Sequence, residues 1–170
     1  TEQSPKKPLI AAVEGFALAG GLELALSCDL IVSAAGAKFG IPETGVGLFA
    51  GAGGLLRLPR VLPYVVAMRM ALTAKPITAE EAQSYGMIAE ITPKGEALDK
   101  AIELAEEVAK NAPLGLIASK ALLREMQGRT EDEFWAYQAE HHYKNVFQSE
   151  DAIEGATAFA EKRPPNWRGK

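Results

Sequence analysis

Short apolar runs, separated by glycine or proline, dominate the first 56 residues and constrain the fold more than any other feature. "PLIAAV" (8–13) and "DLIVSAA" (29–35) have the length and the β-branched content of buried strands. Between them the pair Gly20-Gly21 precedes helix formers in "GLELALS", and "AKFG" (37–40) suggests a further short strand. The order of strand, glycine turn, helix and strand predicts an α/β core. Further strands are expected, because two or three are few for a stable sheet.

The second half of the sequence is typical of helices. From about residue 78 onward, Thr78 and Thr130 stand where helix N-caps are expected, and Gly86 is a helix stop. "EALDKAIELAEEVAKN" carries an apolar stripe at helical spacing. We therefore divide the chain into an α/β layer over residues 1–75, which holds the candidate site, and a wholly helical region over residues 76–170, whose apolar stripe more often packs on its own domain than on a partner.

Composition limits the classes of partner. A chain of 170 residues with 48% hydrophobic and 24% charged residues has the composition of a globular domain. The net charge of −4 gives no reason to expect nucleic acid. A single cysteine, Cys28, excludes an internal disulfide and fits a reducing compartment. Glu14 interrupts the early apolar run, which argues against a secretory signal, and no run approaches the roughly 18 apolar residues of a membrane span. We expect a cytoplasmic location, with an organelle matrix as the alternative.

The strongest chemical signal is the pair Glu23 and Glu43. Glu23 follows the glycine pair in the first turn of the predicted helix, where unpaired backbone N–H groups favour an anion. Glu43 lies in a Pro-Glu-Thr-Gly loop after the short strand, a common place for catalytic side chains. Two carboxylates in one apolar cavity can divide the roles of acid and base. Spacing alone does not separate this hypothesis from an ordinary helix N-terminus and an ordinary loop acid.

Other patterns carry less chemistry. "GVGLFA" (45–50) matches a dinucleotide-binding motif only loosely, since no clear strand leads into it. His141 and His142 are adjacent and do not have the i, i+4 spacing of a zinc pair, so we expect a surface or packing role and no metal site. Lys162 and Arg163, taken from the sequence alone, are a solvated helix C-terminus.

The segment "KPLIAAVEGFALAGGLELALSCDLIVSAAGAKFGIPETGVGLFAGAGG" resembles the core of the crotonase (enoyl-CoA hydratase/isomerase) superfamily. The resemblance continues through "RLPRVLP", "ITAEEAQSYGMI" and "SEDAIEGATAFAEKR", covers residues 7–168, and is closest to enoyl-CoA hydratase and carnitinyl-CoA dehydratase-like bacterial members. It implies an α/β fold: the C-terminal part of a ββα spiral, followed by a helical region used for trimerisation. The implied protein is a bacterial hydro-lyase of fatty acid metabolism that forms a homotrimer or hexamer.

The resemblance also implies a site. Gly20 would be one of two N–H donors in an oxyanion hole for the thioester carbonyl of an acyl-CoA, with Ala19 standing where many members have a further glycine. Glu23 and Glu43 would hold a water and deliver its hydroxyl and proton across the C2–C3 double bond. Phe159 and Lys162 match positions that line the CoA pocket, which revises the solvated-end reading of Lys162. No cofactor is implied, since coenzyme A is part of the substrate.

Members of this superfamily carry an N-terminal third that precedes the first residues here. The resemblance therefore implies that the chain is a fragment lacking the second oxyanion donor, with little activity on its own. Three alternatives remain: an enoyl-CoA isomerase, a carnitinyl-CoA dehydratase-type enzyme, and a non-catalytic oligomerising remnant.

Overall fold

A computed structural model describes residues 2–170, and within that range the chain forms six strands and nine α-helices. The strands are β1 Ile10–Val13, β2 Phe16–Leu18, β3 Leu30–Ala34, β4 Lys38–Gly40, β5 Ile77–Thr78 and β6 Glu90–Thr92. The helices are α1 Gly20–Ala25, α2 Gly54–Val61, α3 Tyr64–Thr73, α4 Ala79–Ser84, α5 Ala97–Ala109, α6 Pro113–Glu125, α7 Glu131–Gln138, α8 Lys144–Phe147 and α9 Glu150–Glu161. A 3₁₀-helix spans Pro42–Val46, and a π-helix spans Ala139–Tyr143.

The strands form two three-stranded sheets. The first has the order β1-β3-β6 and is wholly parallel. In the second, β2 runs parallel to β4, and β5 pairs antiparallel on the other side of β4. The register of β2 and β4 aligns Leu18 with Gly40, so both strands end at the same level. The prediction of an α/β core with β1, α1, β3 and β4 is confirmed, and the structure adds β2, β5 and β6, which the sequence did not mark.

The prediction of helices alone beyond residue 78 is wrong. β6 lies in that region and pairs with β3, aligning Val32 with Glu90. Its three residues, Glu-Ile-Thr, contain no apolar run that marks a strand. Their conformation depends on the long-range partner β3, a case in which tertiary context decides a weak local preference.

The helix boundaries follow the capping rules that the sequence suggested. The Thr78 side chain accepts a hydrogen bond of 3.1 Å from the Glu81 N–H at the start of α4. Thr130 and Glu133 form a reciprocal capping box at the start of α7. Both satisfy backbone N–H groups that a helix start leaves without partners.

The chain contains two compact units. The first includes Leu9–Ala105, and the second includes Glu106–Lys170 together with the short stretch Lys6–Pro8. The core of the first unit gathers side chains from both sheets and from the helices between them; its most deeply buried large members are Phe39, Leu22, Leu58, Met70 and Ile77. No helix within residues 2–170 is both long and apolar enough to cross a bilayer.

Candidate active site

The candidate site begins at one edge of the sheet formed by β2, β4 and β5. Since β2 and β4 are parallel and in register, the segments that follow them leave from the same edge. The Ala19 N–H donates to the Gly40 carbonyl at 2.9 Å, which fixes the two exits side by side. The first exit leads directly into α1 with Glu23, and the second into the 3₁₀-helix with Glu43. Both predicted acids thus follow strands that end at the same edge of this sheet.

Glu23 is buried, with only 3% of its surface exposed, and its carboxylate is held by backbone groups. Its Oε1 accepts hydrogen bonds from the N–H of Ala52 at 2.7 Å and from the N–H of Gly54 at 2.9 Å. Buried charged groups need such partners, because an unpaired carboxylate away from water is strongly unfavourable. Both of these hydrogen bonds are to Oε1, and no hydrogen bond to Oε2 is found within residues 2–170.

Gly54 allows this arrangement because it has no side chain. A Cβ at this position would lie 3.1 Å from Glu23 Cγ and 3.2 Å from Glu23 Oε1, closer than carbon atoms normally approach. Gly53, just before it, has φ of 102°, a left-handed conformation that glycine adopts readily. The sequence "GAGG" is therefore a turn that aims two N–H groups at one carboxylate.

Glu43 is half-buried in the first turn of the 3₁₀-helix. Its Oε2 is shielded from solvent and has no hydrogen-bond partner among the described residues. The segment around it is anchored: the Thr44 hydroxyl donates to the Ala71 carbonyl at 2.7 Å, and the Leu48 N–H donates to the Glu43 carbonyl at 3.0 Å. Glu43 thus offers an unpartnered carboxyl oxygen on a backbone that is well fixed.

Gly20 is the first residue of α1, and its N–H has no acceptor among residues 2–170. A Cβ built on Gly20 or Gly21 would meet no atom of residues 2–170 within 4 Å, so a ligand has room to approach this backbone. Ala19, just before, adopts φ 51° and ψ −129°, a conformation that L-residues rarely adopt. The Ala19 carbonyl accepts the N–H groups of Leu22 and Glu23, which begins the hydrogen bonding of α1.

The two other predicted site residues lie in the second unit. Phe159, on α9, is 88% exposed. Lys162 is exposed and closes α9 in a left-handed conformation with φ 55° and ψ 41°. The roles of both residues in CoA binding stay predictions.

The two histidines occupy the π-helix. Their rings lie against the Tyr137 ring, with centroid distances of 4.4 Å for His141 and 5.7 Å for His142. His142 Nε2 is shielded from solvent and has no partner within the described chain. No group of three or more His, Cys, Asp or Glu side chains within residues 2–170 is placed to hold a metal ion.

Comparison with known proteins identifies the family. The model of the family described as Enoyl-CoA hydratase/isomerase matches residues 2–170. The chain belongs to the enoyl-CoA hydratase/isomerase family. The curated carnitinyl-CoA dehydratase of Escherichia coli O157:H7 is 42% identical over 167 residues, which are 96% of this chain and 64% of that protein. The chain therefore spans somewhat less than two thirds of the length of this relative.

Solved structures of the enoyl-CoA hydratase/isomerase family superpose closely on the chain. An enoyl-CoA hydratase from Mycobacterium tuberculosis H37Rv is 51% identical with a TM-score of 0.96, covering 99% of this chain and 67% of that one. A probable enoyl-CoA hydratase/isomerase from Mycobacterium abscessus is 56% identical with a TM-score of 0.93, covering 98% and 66%. The crotonase-type fold inferred from the sequence is thereby confirmed.

Sequence reasoning missed the partners of Glu23 within this family fold. Ala52 and Gly54, in the turn "GAGG" (51–54), donate their N–H groups to the Glu23 carboxylate, a role that the sequence alone does not assign to this turn. The signal in the sequence was the glycine pair Gly53-Gly54 at the start of α2. Backbone donors are carried by every residue type except proline, so no residue identity marks them.

Proposed function

We propose that the protein catalyses the reversible addition of water to 2-enoyl-CoA thioesters. The observation that carries this proposal is the edge arrangement: the anchored carboxylate of Glu23 and the unpartnered Glu43 oxygen both follow parallel strands that end in register. This reaction needs an acid and a base to transfer protons, which two carboxyl groups can provide, and a donor such as a backbone N–H to stabilise the negative charge on the thioester oxygen. The family match and the names of the relatives support the same reaction class.

The proposed chemistry balances with these groups alone. Glu23 and Glu43 hold one water molecule. As its oxygen bonds to C3, one carboxylate accepts its proton, and the other carboxyl group gives a proton to C2 as the double bond is consumed. Negative charge that builds on the thioester oxygen is stabilised by the N–H of Gly20, an exposed residue at the start of α1. Removing one such donor typically slows comparable reactions by about 10²–10³-fold.

The test is substitution of Glu43 by glutamine in the protein as its organism makes it. General acid–base groups contribute about 10²–10⁴-fold, and Glu43→Gln should lower the hydration rate of a short 2-enoyl-CoA by that order. Glu96→Gln is the matched control, because Glu96 is an exposed glutamate of the same unit whose side chain makes no hydrogen bond or ion pair within residues 2–170. Unchanged turnover in Glu43→Gln would reject the assignment.

A dehydratase acting on a carnitinyl-type thioester is the second candidate, favoured by the curated relatives that carry the name carnitinyl-CoA dehydratase. It uses the same two carboxyl groups in the reverse direction. Offering carnitinyl-CoA beside a straight-chain 2-enoyl-CoA decides between them through kcat/KM. A 3-enoyl-CoA in the same assay tests for isomerisation, since its conversion to the 2-enoyl isomer without net water uptake would identify an isomerase.

The remaining proposals concern the ligand and the assembly. Phe159 and Lys162 contact the CoA moiety, with the exposed ring and ammonium as the supporting features. The protein assembles as a trimer or hexamer in the bacterial cytoplasm. In support, the helices of the second unit leave large apolar side chains exposed: Trp135, Tyr143, Phe147 and Ile153. A solution mass of three or six copies is the expected result in light scattering.

A further inference from the structure

Lys162 occupies a backbone position that glycine usually fills. Its φ of 55° and ψ of 41° lie in the left-handed region. The Lys162 N–H donates to the Phe159 carbonyl at 3.3 Å, and the Arg163 N–H donates to the Ala158 carbonyl at 3.1 Å. These two bonds form the Schellman motif that ends many helices. Since a side chain makes this conformation unfavourable, a lysine here points to a use for the side chain itself.

Lys162 differs from the neighbouring cationic side chains in having no acidic partner among the described residues. Arg163 pairs with Glu154 and with Glu161, and Arg168 lies 3.6 Å from Glu150. Within residues 2–170, the exposed Lys162 ammonium has no hydrogen bond or ion pair. The end of α9 therefore presents one cation that its own acidic neighbours do not neutralise.

The residue after Lys162 is held by a forked ion pair. Arg163 Nη1 lies 2.6 Å from Glu154 Oε1, and Nη2 lies 2.9 Å from Oε2. Glu154 Oε1 also accepts the Asn166 N–H at 2.7 Å. The Arg163 and Asn166 donors lower the pKa of Glu154 to about 2, so the pair stays charged across the neutral range. A fork of this kind fixes geometry as well as charge.

The chain beyond this pair is tied back onto the same helix. Asp151, which is 3% exposed, accepts the N–H of Arg168 at 2.7 Å and of Gly169 at 2.9 Å. The Trp167 indole donates to the Lys110 carbonyl at 2.7 Å, and its ring is 3.2 Å from where a Gly155 Cβ would stand. The turn at Lys162 is thus fixed by α9 on one side and by an anchored tail on the other.

We propose that Glu154 and Arg163 are positioning residues that hold Lys162 in its left-handed turn and present its ammonium to a phosphate of the acyl-CoA ligand. This inference rests on the proposed function, in which Lys162 contacts the CoA moiety. Glu154 does not touch the ligand. It acts through Arg163, which follows Lys162 in the chain. If the ion pair between Glu154 and Arg163 is lost, the Lys162 backbone is no longer held in its left-handed conformation. A ligand then has to restrict a mobile side chain on binding, which weakens affinity.

Calorimetric binding of free coenzyme A tests the inference without requiring turnover. Lys162→Gly keeps the turn and removes the ammonium, and it should bind CoA about fivefold more weakly, the range of an exposed ion pair. Glu154→Gln should lose about two- to fivefold through Lys162. The control Glu161→Gln removes the other carboxylate on Arg163 but leaves the fork, and it should bind CoA like the wild type.

A double variant separates positioning from general destabilisation. If Glu154 acts through Lys162, then Glu154→Gln combined with Lys162→Gly binds CoA no more weakly than Lys162→Gly alone. Additive losses would overturn the inference, and so would wild-type affinity in a folded Glu154→Gln. If Glu154→Gln does not fold by circular dichroism, Arg163→Lys replaces it in the cycle, because it keeps the charge and loses the fork.

Failure of the proposed function, that is, of the hydration reaction or of the contact between Lys162 and CoA, gives a result different from failure of the positioning inference. Full affinity of Lys162→Gly for CoA would reject the contact between Lys162 and the ligand, and the positioning inference with it. CoA binding that depends on Lys162 and Glu154 in a protein that hydrates no enoyl-CoA would reject the reaction and leave the positioning inference supported. For an active protein, Glu154→Gln should raise KM and leave kcat near the wild-type value, a split that loss of folded protein does not produce.

Discussion

The anchoring of Glu23 by a turn makes the substitution Gly54→Ala a sharp test of the site. The new Cβ would stand 3.1 Å from Glu23 Cγ and 3.2 Å from Ala50 Cβ, so Glu23 has to move by a few tenths of an ångström. The bond between the Gly54 N–H and Glu23 Oε1, now 2.9 Å, lengthens with that movement. The backbone of Gly54 has no left-handed conformation, and alanine is otherwise acceptable there.

The expected magnitudes separate stability from function. Overpacking typically destabilises by about 1–3 kcal/mol. Replacing glycine by alanine within a helix stabilises the folded protein by about 0.5–1 kcal/mol. The net loss of at most about 2.5 kcal/mol lies below the roughly 5–15 kcal/mol that stabilises most proteins, so the variant should fold. Because a misplacement of about 1 Å can reduce rates about 10²-fold, a shift of a few tenths should lower turnover by about three- to tenfold.

The assay follows the loss of enoyl-thioester absorbance, with thermal unfolding measured on the same samples. Gly51→Ala is the matched control in the same turn, because its Cβ would meet only Phe49, at 3.6 Å and 3.9 Å, which are ordinary contacts. We expect the control to retain wild-type turnover. Wild-type turnover in a folded Gly54→Ala, or an equal loss in both variants, would refute the reasoning.

Two further predictions concern backbone strain and acid stability. Ala19→Gly should raise the free energy of unfolding by about 1 kcal/mol, since relief of about 1–3 kcal/mol of strain exceeds the added entropy of the unfolded chain; a lower thermal midpoint would contradict this. Glu154 has a folded pKa of about 2 against an ordinary value of 4.5, so its contribution to stability is complete above pH 4.5 and is lost as the pH falls towards 2. Denaturant unfolding should show that the free energy of unfolding falls more steeply between pH 4.5 and 2 in the wild type than in Glu154→Gln. The same pH dependence in both proteins would contradict this prediction.

Much of the fold could be predicted because its strongest elements are local. β1 and β3 are apolar runs that end at breakers, and α1 starts at a glycine pair. β2 and β6 have three residues each and depend on partners far along the chain, so the local sequence does not mark them. Whether a short segment forms a parallel strand depends more on pairing with a neighbouring strand than on the β-propensity of its own residues.

The two acidic residues of the candidate site could be predicted from the sequence, whereas the backbone groups that bind them could not. Glu23 and Glu43 stood out as charged residues beside glycine turns. The N–H groups that hold Glu23 come from residues 29 and 31 positions later, a pairing that only the fold creates. Glu14 shows the same limit: in the sequence it interrupts an apolar run, whereas its carboxylate accepts the N–H groups of Gly95 and Ala97 at the start of α5.

The in-register ends of β2 and β4 decide where the chain tolerates changes in length. Between α1 and β3, the residues that follow Ala25 make a turn, and an insertion there leaves both strand exits in place. A single residue added between Gly40 and Glu43 would instead rotate the acid by about 120° around the 3₁₀-helix. Loop-length variation among descendants of this sequence is therefore expected in the first segment and excluded from the second wherever the activity is retained.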